Sequence, residues 1–564
     1  MKRKIYTHPV FYHDRINSPT CSYVHRIIIM GLACLFLLSC KKTPPDRLPN
    51  ILLIVADDLG YSDLGCFGSE INTPNLDNLV KNGIRFSRFY TSPYCAVSRA
   101  MILSGNNNHI AGMGSQDLKT GTQGYEGRLT DRIIPFTELL LSKGYHTYIT
   151  GKWHLGNSPN DNPHHKGFEH SFVTLEGGAN HYLGKGIFYN IPESLYTEDG
   201  ETTKWRDGDY STDFYTDKLI SFIDRYEDDA RPFFAYAAYT SPHWPLQVDD
   251  KYWKKYIGKY DDGYEKLREI RFQNLKDKEL IPENAVLPAS HPGIPVWDSL
   301  TIKEKKIEAR KMEIYAGMVE NLDENIGRLI QYLKKVGQYD NTMIVFLSDN
   351  GAAAEDFYYH DVFGPFLQQN YTDTYESMGK PESFISYGKA WAEAGTAPFK
   401  YFKGYTTEGG LLSPMIISGH LVKYGNRTSS AMSTLMDLAP TFYDWTGIEY
   451  PKLYHGTEVY PLLGKSLQPI IHNQSERIHD DEYVFGLEHR SYAMIRKGDW
   501  KIIQIQRPFD ENHFELYNLS EDLAEEFDLK DIHPDKFSEM LKEWENFYRK
   551  MKIRIPTPLE GEDF

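Results

Sequence analysis

Cys95 and Arg99 lie four residues apart in Pro93-Tyr-Cys-Ala-Val-Ser-Arg-Ala-Met-Ile-Leu-Ser-Gly105, a polar turn running into an apolar, helix-compatible segment. If Cys95 opens that helix, free N–H groups and the positive end of the helix dipole face whatever anion the site handles. A thiol-derived group beside a permanent cation suits an anionic ester. The plain alternatives are a buried free thiol packed as a small hydrophobe or a disulfide between Cys66 and Cys95. Two acidic pairs stand elsewhere in the chain. Asp57-Asp58 closes the run Asn50-Ile-Leu-Leu-Ile-Val-Ala56, and Asp349-Asn350 closes Thr342-Met-Ile-Val-Phe-Leu-Ser348. Each run is continuously apolar and rich in β-branched residues, as expected of a parallel strand buried on both faces. In open α/β sheets ligands bind outside the carboxyl ends of the strands, so the two pairs should face one crevice. Three carboxylates brought together raise each other's pKa unless a cation sits among them. Oxygen-only ligands suit calcium, with magnesium as the alternative, rather than zinc.

Further polar groups sit at the ends of other apolar segments. Tyr145–Thr150 leads into Gly151-Lys152-Trp153-His154, and Phe233–Tyr239 leads into Ser241-Pro242-His243. Lys403 follows Lys400-Tyr401-Phe402, where an ordinary basic patch is the competing reading. His109 and the pair His164-His165 read as structural and loop residues. Strand alternating with helix gives a doubly wound α/β sheet flanked by helices. The clearest helix spans Ile302 to Val336, where Tyr315, Met318, Val319, Leu322, Ile326, Leu329, Ile330 and Leu333 recur at three and four. Its acids Glu320, Asp323 and Glu324 read as a solvated face. Thr73–Asn82 reads as a capped helix ending at Gly83 and followed by a strand over Ile84–Tyr90.

The segments PNILLIVADDLGYSDLGCFG, TPNLDNLVKNGIRFSRFY, CAVSRAMILSG, GYHTYITGKWHLG, SPHWPL, LSDNG, APFKYFKGYTTEGGLLSP and IRKGDWKII occur in this order between about residues 48 and 550. On these the chain resembles the type I, formylglycine-dependent sulfatases of the alkaline-phosphatase-like superfamily, in particular the bacterial arylsulfatase branch. The resemblance implies a large mixed sheet with a small C-terminal antiparallel sheet and packed helix. It implies hydrolysis of sulfate monoesters by a formylglycine (3-oxoalanine) made from Cys95, whose hydrate attacks sulfur with one hydroxyl and expels sulfate by collapse of the other. By the same resemblance Asp57, Asp58, Asp349 and Asn350 hold calcium together with the converted Cys95, and Arg99 fixes the hydrate and the sulfate. Lys152 and Lys403 neutralise sulfonyl oxygens, His154 takes the proton from the second hydroxyl, and His243 protonates the leaving alcohol. The partner that converts the cysteine is a formylglycine-generating or anaerobic sulfatase-maturating enzyme. Val97 stands where the family's maturation signal has proline or alanine, and this places the conversion of Cys95 in question. Two other readings stay open: a phosphoester or phosphonate hydrolase of the same superfamily, and a silent binder of sulfated glycans in which Cys95 stays a thiol.

The chain divides into residues 1–48, a signal and linker; 49–474, a catalytic domain; and 475–564, a C-terminal subdomain. Arg26–Cys40 has a basic lead, a short apolar core and Leu37-Leu-Ser-Cys40, which resembles a lipoprotein signal with Cys40 as the lipidated residue. The expectation is an exported protein held on a membrane by lipid, periplasmic or at the cell surface. A net charge of -16 argues against nucleic acid as a partner. An anionic substrate is still accommodated, because local charge at the site decides; a sulfated carbohydrate or an aryl sulfate is the expected substrate.

Overall fold

A computed structural model describes residues 47–555 apart from Asp117 and Pro159, together with Val10. The expected signal and the lipidation residue Cys40 lie outside the described residues.

The apolar run Asn50–Ala56 forms β1, with every residue buried. Around it in chain order come β2 (Gly83–Phe86), β3 (His146–Lys152), β4 (His170–Thr174), β5 (Tyr196–Glu198), β6 (Glu201–Thr203), β7 (Phe233–Ala238), β8 (Thr342–Ser348), β9 (Met415–Ser418) and β10 (Arg427–Ser429). They make one ten-stranded sheet in the order β10-β2-β9-β8-β1-β7-β3-β4-β5-β6. The central five, β8-β1-β7-β3-β4, are parallel, and β9 and β5 flank them antiparallel, so the sheet is mixed as expected. Register pairs Ala56 with Ser348 and Val55 with Ala238. The residues that follow β1, β7 and β8 therefore emerge side by side at one edge, which is where the chemistry gathers.

Helices α1 (Pro74–Lys81), α2 (Cys95–Ser104), α3 (Ser211–Asp224) and α4 (Ile302–Lys335) accompany the sheet. The capping box that starts α4 uses Thr301, whose hydroxyl accepts from Glu304 N at 3.3 Å while the Glu304 carboxylate accepts from Thr301 N at 2.7 Å. Its apolar stripe is buried as the periodicity requires, and α4 packs against α1 and α3. The acids of α4 correct the solvated-face expectation. Asp323 is buried and accepts from the α1 amides of Leu76 and Asn75 at 2.8 and 3.1 Å, supplying the acceptor that Thr73 does not give. Glu320 is buried too and takes hydrogen bonds from Tyr256 and Lys255, while Glu324 is exposed. The expected strand Ile84–Tyr90 is broken at Ser87-Arg88: its second part, Phe89–Tyr90, leaves the main sheet and pairs with Ser433–Thr434. Cys66 and Cys95 are both free thiols, so no disulfide joins them.

The strands Val484–His489, Tyr492–Lys497, Trp500–Gln504 and Glu515–Asn518 form a four-stranded antiparallel sheet. A final helix, Pro534–Met551, buries Met540, Trp544, Phe547 and Met551 against it. This unit is tied to the larger sheet by Lys501, fully buried between Glu408 and Glu525 at 2.7 Å each, with Tyr90 donating to Glu408 at 2.5 Å. The long Tyr- and Phe-rich segment 356–397 carries two short helices, and its Tyr358, Leu367, Tyr371 and Phe384 pack with Trp244 into a separate apolar cluster beside His243.

Candidate active site

The edge of the sheet delivers the site. Asp57 and Asp58 follow β1, Asp349 follows β8 and is fixed by its amide donating to Ala56 O at 3.1 Å, and Lys152 is the last residue of β3. His243 follows β7 through a short turn, and α2 brings Cys95 as its first residue and Arg99 one turn on. Asp58, at φ 68°, adopts left-handed backbone, and so does His154 just beyond Lys152, at φ 60°. Non-glycine residues rarely do so, and such strain gathers where function fixes a side chain.

The acids and cations interlock. Lys152 Nζ donates to both oxygens of Asp57, at 2.7 and 2.8 Å, with both side chains fully buried. Lys403 Nζ donates to Asp58 Oδ2 at 2.8 Å and lies 3.7 Å from Glu355. Arg99 holds Asp349 Oδ2 with two nitrogens, at 3.0 and 2.9 Å, and donates to Lys152 O at 2.9 Å. Asn350 Nδ2 donates to Asp58 Oδ1 at 2.6 Å, and the Cys95 thiol lies 3.8 Å from the same oxygen. His243 Nδ1 donates to Trp244 O at 2.6 Å, leaving Nε2 facing Asp58 Oδ2 at 3.4 Å. The sequence-expected residues Asp57, Asp58, Cys95, Arg99, Lys152, His243, Asp349, Asn350 and Lys403 thus form one contact network, and His154 stands at its margin.

Their protonation follows from the packing. Burial pushes the Asp58 carboxyl up, but Lys403, His243 and Lys152 outweigh it and hold it well below the carboxylate range. Asp349 moves the other way, to about 6, through burial and then the neighbouring Asp57 charge. Burial lowers both lysines, yet Asp57 lifts Lys152 above its ordinary value and Asp58 lifts Lys403 further. Burial pushes the Cys95 thiol far up, so the unmodified side chain is a poor nucleophile here. Burial first, then Lys152 and Arg99, drive His154 well below 6.5; it is neutral, and its Nδ1 has no hydrogen-bond partner among the described residues.

The donor set fits a divalent cation. One ligand atom from each of Asp57, Asp58, Cys95 and His243 lies within 4.8 Å of the others. Asp349 Oδ1 approaches the Asp58 amide at 3.4 Å, and Asn350 Oδ1 is buried without a partner among the described residues. An orphaned amide oxygen beside mutually repelling carboxylates is what a hard cation would satisfy. Of the close group, Asp57, Asp58 and Cys95 belong to the expected ligand set, and His243, expected as a proton donor, is the addition.

A cavity of about 490 Å³ reaches this network at Lys403 and is lined among others by Tyr94, Glu355, Phe357, Lys403, Tyr405 and Tyr492. Its wall comes from residues 293–311 with the first turns of α4, from segment 356–397 and from Tyr492 of the C-terminal sheet, which explains why no single motif announced it. Glu355 was not singled out from sequence, and its only signal was its place six residues after Asp349. His109 is structural as expected, its Nε2 3.3 Å from Glu488, and His164 and His165 sit on a surface turn.

The sulfatase family model matches residues 49–448. An uncharacterized sulfatase of Schizosaccharomyces pombe is 39% identical, covering 89% of this chain and 94% of its own. The arylsulfatase of Klebsiella aerogenes is 39% identical over 75% of this chain and 92% of its own. Among solved structures, Ps i-CgsB in complex with k-i-k-neocarrahexaose is similar with a TM-score of 0.64 at 27% identity, covering 89% of this chain and 93% of that one. With the acidic strand ends, the cysteine at a helix start and the surrounding cations already in place, these matches settle the class: the chain belongs to the sulfatase family and is a sulfuric ester hydrolase.

Proposed function

We propose that this sulfatase removes sulfate from a sulfated glycan through a formylglycine made from Cys95, with calcium held by Asp57, Asp58, Asp349 and Asn350. The observation that carries the reading is the placement of Cys95 at the start of α2, 3.8 Å from Asp58 and enclosed by Arg99, Lys152 and Lys403. A cation bound there would supply a Lewis acid for a sulfate oxygen, and formylglycine would supply a hydrated aldehyde as nucleophile. The chain's own residues do the rest. Lys152, Lys403 and Arg99 are buried and charged, so they meet the sulfonyl oxygens with dipoles and charges already in position as negative charge develops. His154, neutral and with Nδ1 bare, accepts a proton. His243 gives its Nδ1 proton to Trp244 O and turns Nε2 to the leaving side, 3.4 Å from Asp58 Oδ2; burial holds the ring neutral, so Nε2 acts as the acid only once it has taken up a second proton. Magnesium is the competing ion, since both accept hard oxygens.

A glycan is favoured over a simple aryl sulfate because the cavity is roomy and aromatic, and because the similar Ps i-CgsB was solved with a hexaose. We also propose export and anchoring through a lipid on Cys40, supported by the signal-like Leu37-Leu-Ser-Cys40; no described helix is long and apolar enough to cross a membrane. The test is sulfate release from sulfated galactose and hexosamine sugars beside an aryl sulfate and a phosphate monoester. Turnover of sulfated sugars is expected. Turnover of the aryl compound alone would overturn the glycan reading, and hydrolysis of the phosphate ester in preference would favour the phosphoester alternative.

A further inference from the structure

Glu355 is a partly buried acidic residue beside Lys403 for which the mechanism above has no use. It sits where the cavity meets the cations: Oε1 lies 3.7 Å from Lys403 Nζ, whose other partner is Asp58. Its second oxygen, Oε2, is shielded from solvent and has no hydrogen-bond partner among the described residues, although the residue lines the open cavity. A carboxylate oxygen placed this way lacks the donor that normally offsets desolvation. Lys403 lines the same cavity, and its partner Asp58 lies 3.8 Å from the Cys95 sulfur, so an occupant beside Glu355 and Lys403 is linked to residue 95 through Asp58. An alcohol leaving on the Lys403 side brings its own ring to Glu355.

Resting on the glycan reading above, we propose that Glu355 is a specificity-determining residue: Oε2 accepts a hydrogen bond from a hydroxyl on the ring carbon beside the scissile ester. The preferred substrate is then a sulfated polyol ring with a free hydroxyl next to the sulfate. A ring without that hydroxyl leaves Oε2 desolvated and unpaired, which is the arrangement that gives the largest discrimination between substrates differing by one polar group. Lys403 keeps Asp58 as its partner at 2.8 Å whether or not Glu355 is charged, so neutralising Glu355 spares the cation that faces the sulfate.

The experiment compares wild type and Glu355→Gln, with Glu355→Ala as a second variant, in full-length protein whose formylglycine content has been measured. Three compounds are assayed for sulfate release: a monosulfated sugar with the adjacent hydroxyl, its deoxy analogue, and 4-nitrophenyl sulfate. Glu355→Gln is expected to lower kcat/KM about 10- to 100-fold on the hydroxyl-bearing sugar and less than about 3-fold on the other two. Equal losses on all three would overturn the proposal and make Glu355 a positioning residue acting through Lys403. An unchanged kcat/KM on the hydroxyl-bearing sugar would overturn it outright. Wild type that releases sulfate only from 4-nitrophenyl sulfate would overturn the glycan reading and this proposal with it, whereas selective turnover of both sugars with no effect of either variant would overturn the Glu355 assignment alone.

Discussion

Replacing Lys152 with methionine separates the two duties the structure gives that residue. Its ammonium is held at 2.7 and 2.8 Å by both oxygens of Asp57, and neither side chain is exposed. With Lys152 gone, the cation left near Asp57 is Arg99, whose Nη2 is 3.8 Å from Oδ1 and already committed to Asp349. Removing one partner of a buried pair costs about 3–5 kcal/mol, because the other charge is left uncompensated. With about 500 described residues and about 2.1 cal/mol/K of unfolding entropy per residue, each kcal/mol moves Tm by about 1 °C, so the expected drop is about 3–5 °C in chelator. A divalent cation bound at Asp57 supplies the missing charge, so at saturating calcium the drop should shrink to less than half. Catalysis should not recover: a preorganised cation aimed at developing charge is worth about 10²–10³ in kcat. Calorimetry with and without calcium, paired with sulfate release, reads both effects. An equal loss of Tm in the two conditions would refute the assignment of Asp57 to the cation, and undiminished turnover would refute the role of Lys152 toward the sulfate.

Two further expectations are independent of that variant. Burial lifts the Glu176 carboxyl from its ordinary 4.5 to about 7, against the pull of hydrogen bonds from Leu195 N and Thr174. The folded state therefore binds this proton more tightly than the unfolded chain, and its ionisation removes about 3 kcal/mol of stability as pH rises from about 4.5 to 7. Glu176→Gln should flatten that slope, raising Tm more at pH 8 than at pH 5; a parallel shift at both pH values would contradict it. Exhaustive chelation should abolish turnover and lower Tm, with calcium or magnesium at about 100 times Kd restoring about 2.7 kcal/mol. Restoration by zinc in place of either would show that His243 and a sulfur at position 95 are the working ligands.

What the sequence made legible follows from how far each feature reaches. β1 and β8 announce themselves because a strand buried on both faces must be continuously apolar, and the acids after them stand out by contrast. The stripe of α4 is equally local, repeating within one element. Asp323 misled because its partners, the amides of Asn75 and Leu76, lie about 250 residues away, and a helix acid looks the same in sequence whether it faces water or caps another helix. The break at Ser87-Arg88 is likewise set by pairing with Ser433-Thr434, not by any glycine or proline in the strand. Glu355 and the cavity were hidden for the same reason: the walls come from Tyr94, residues 293–311, the 356–397 segment, Tyr405 and Tyr492, which only the fold assembles. The residues that the structure gathers around Asp58 are picked out by family motifs, not by their own spacing.

The claim on which all the chemistry rests is the conversion of Cys95. The unmodified thiol is buried and burial pushes its pKa far up, so it is a poor nucleophile. Val97, in the position where the maturation signal has proline or alanine, is buried one helical position short of Ser98 and packed in the core. Mass spectrometry of the peptide containing Cys95, from protein made in its own host, decides the matter most directly. The account predicts loss of the sulfur and gain of an oxygen, the signature of formylglycine, in the fraction of protein that releases sulfate. An intact thiol in protein that nevertheless turns over sulfate esters would contradict it.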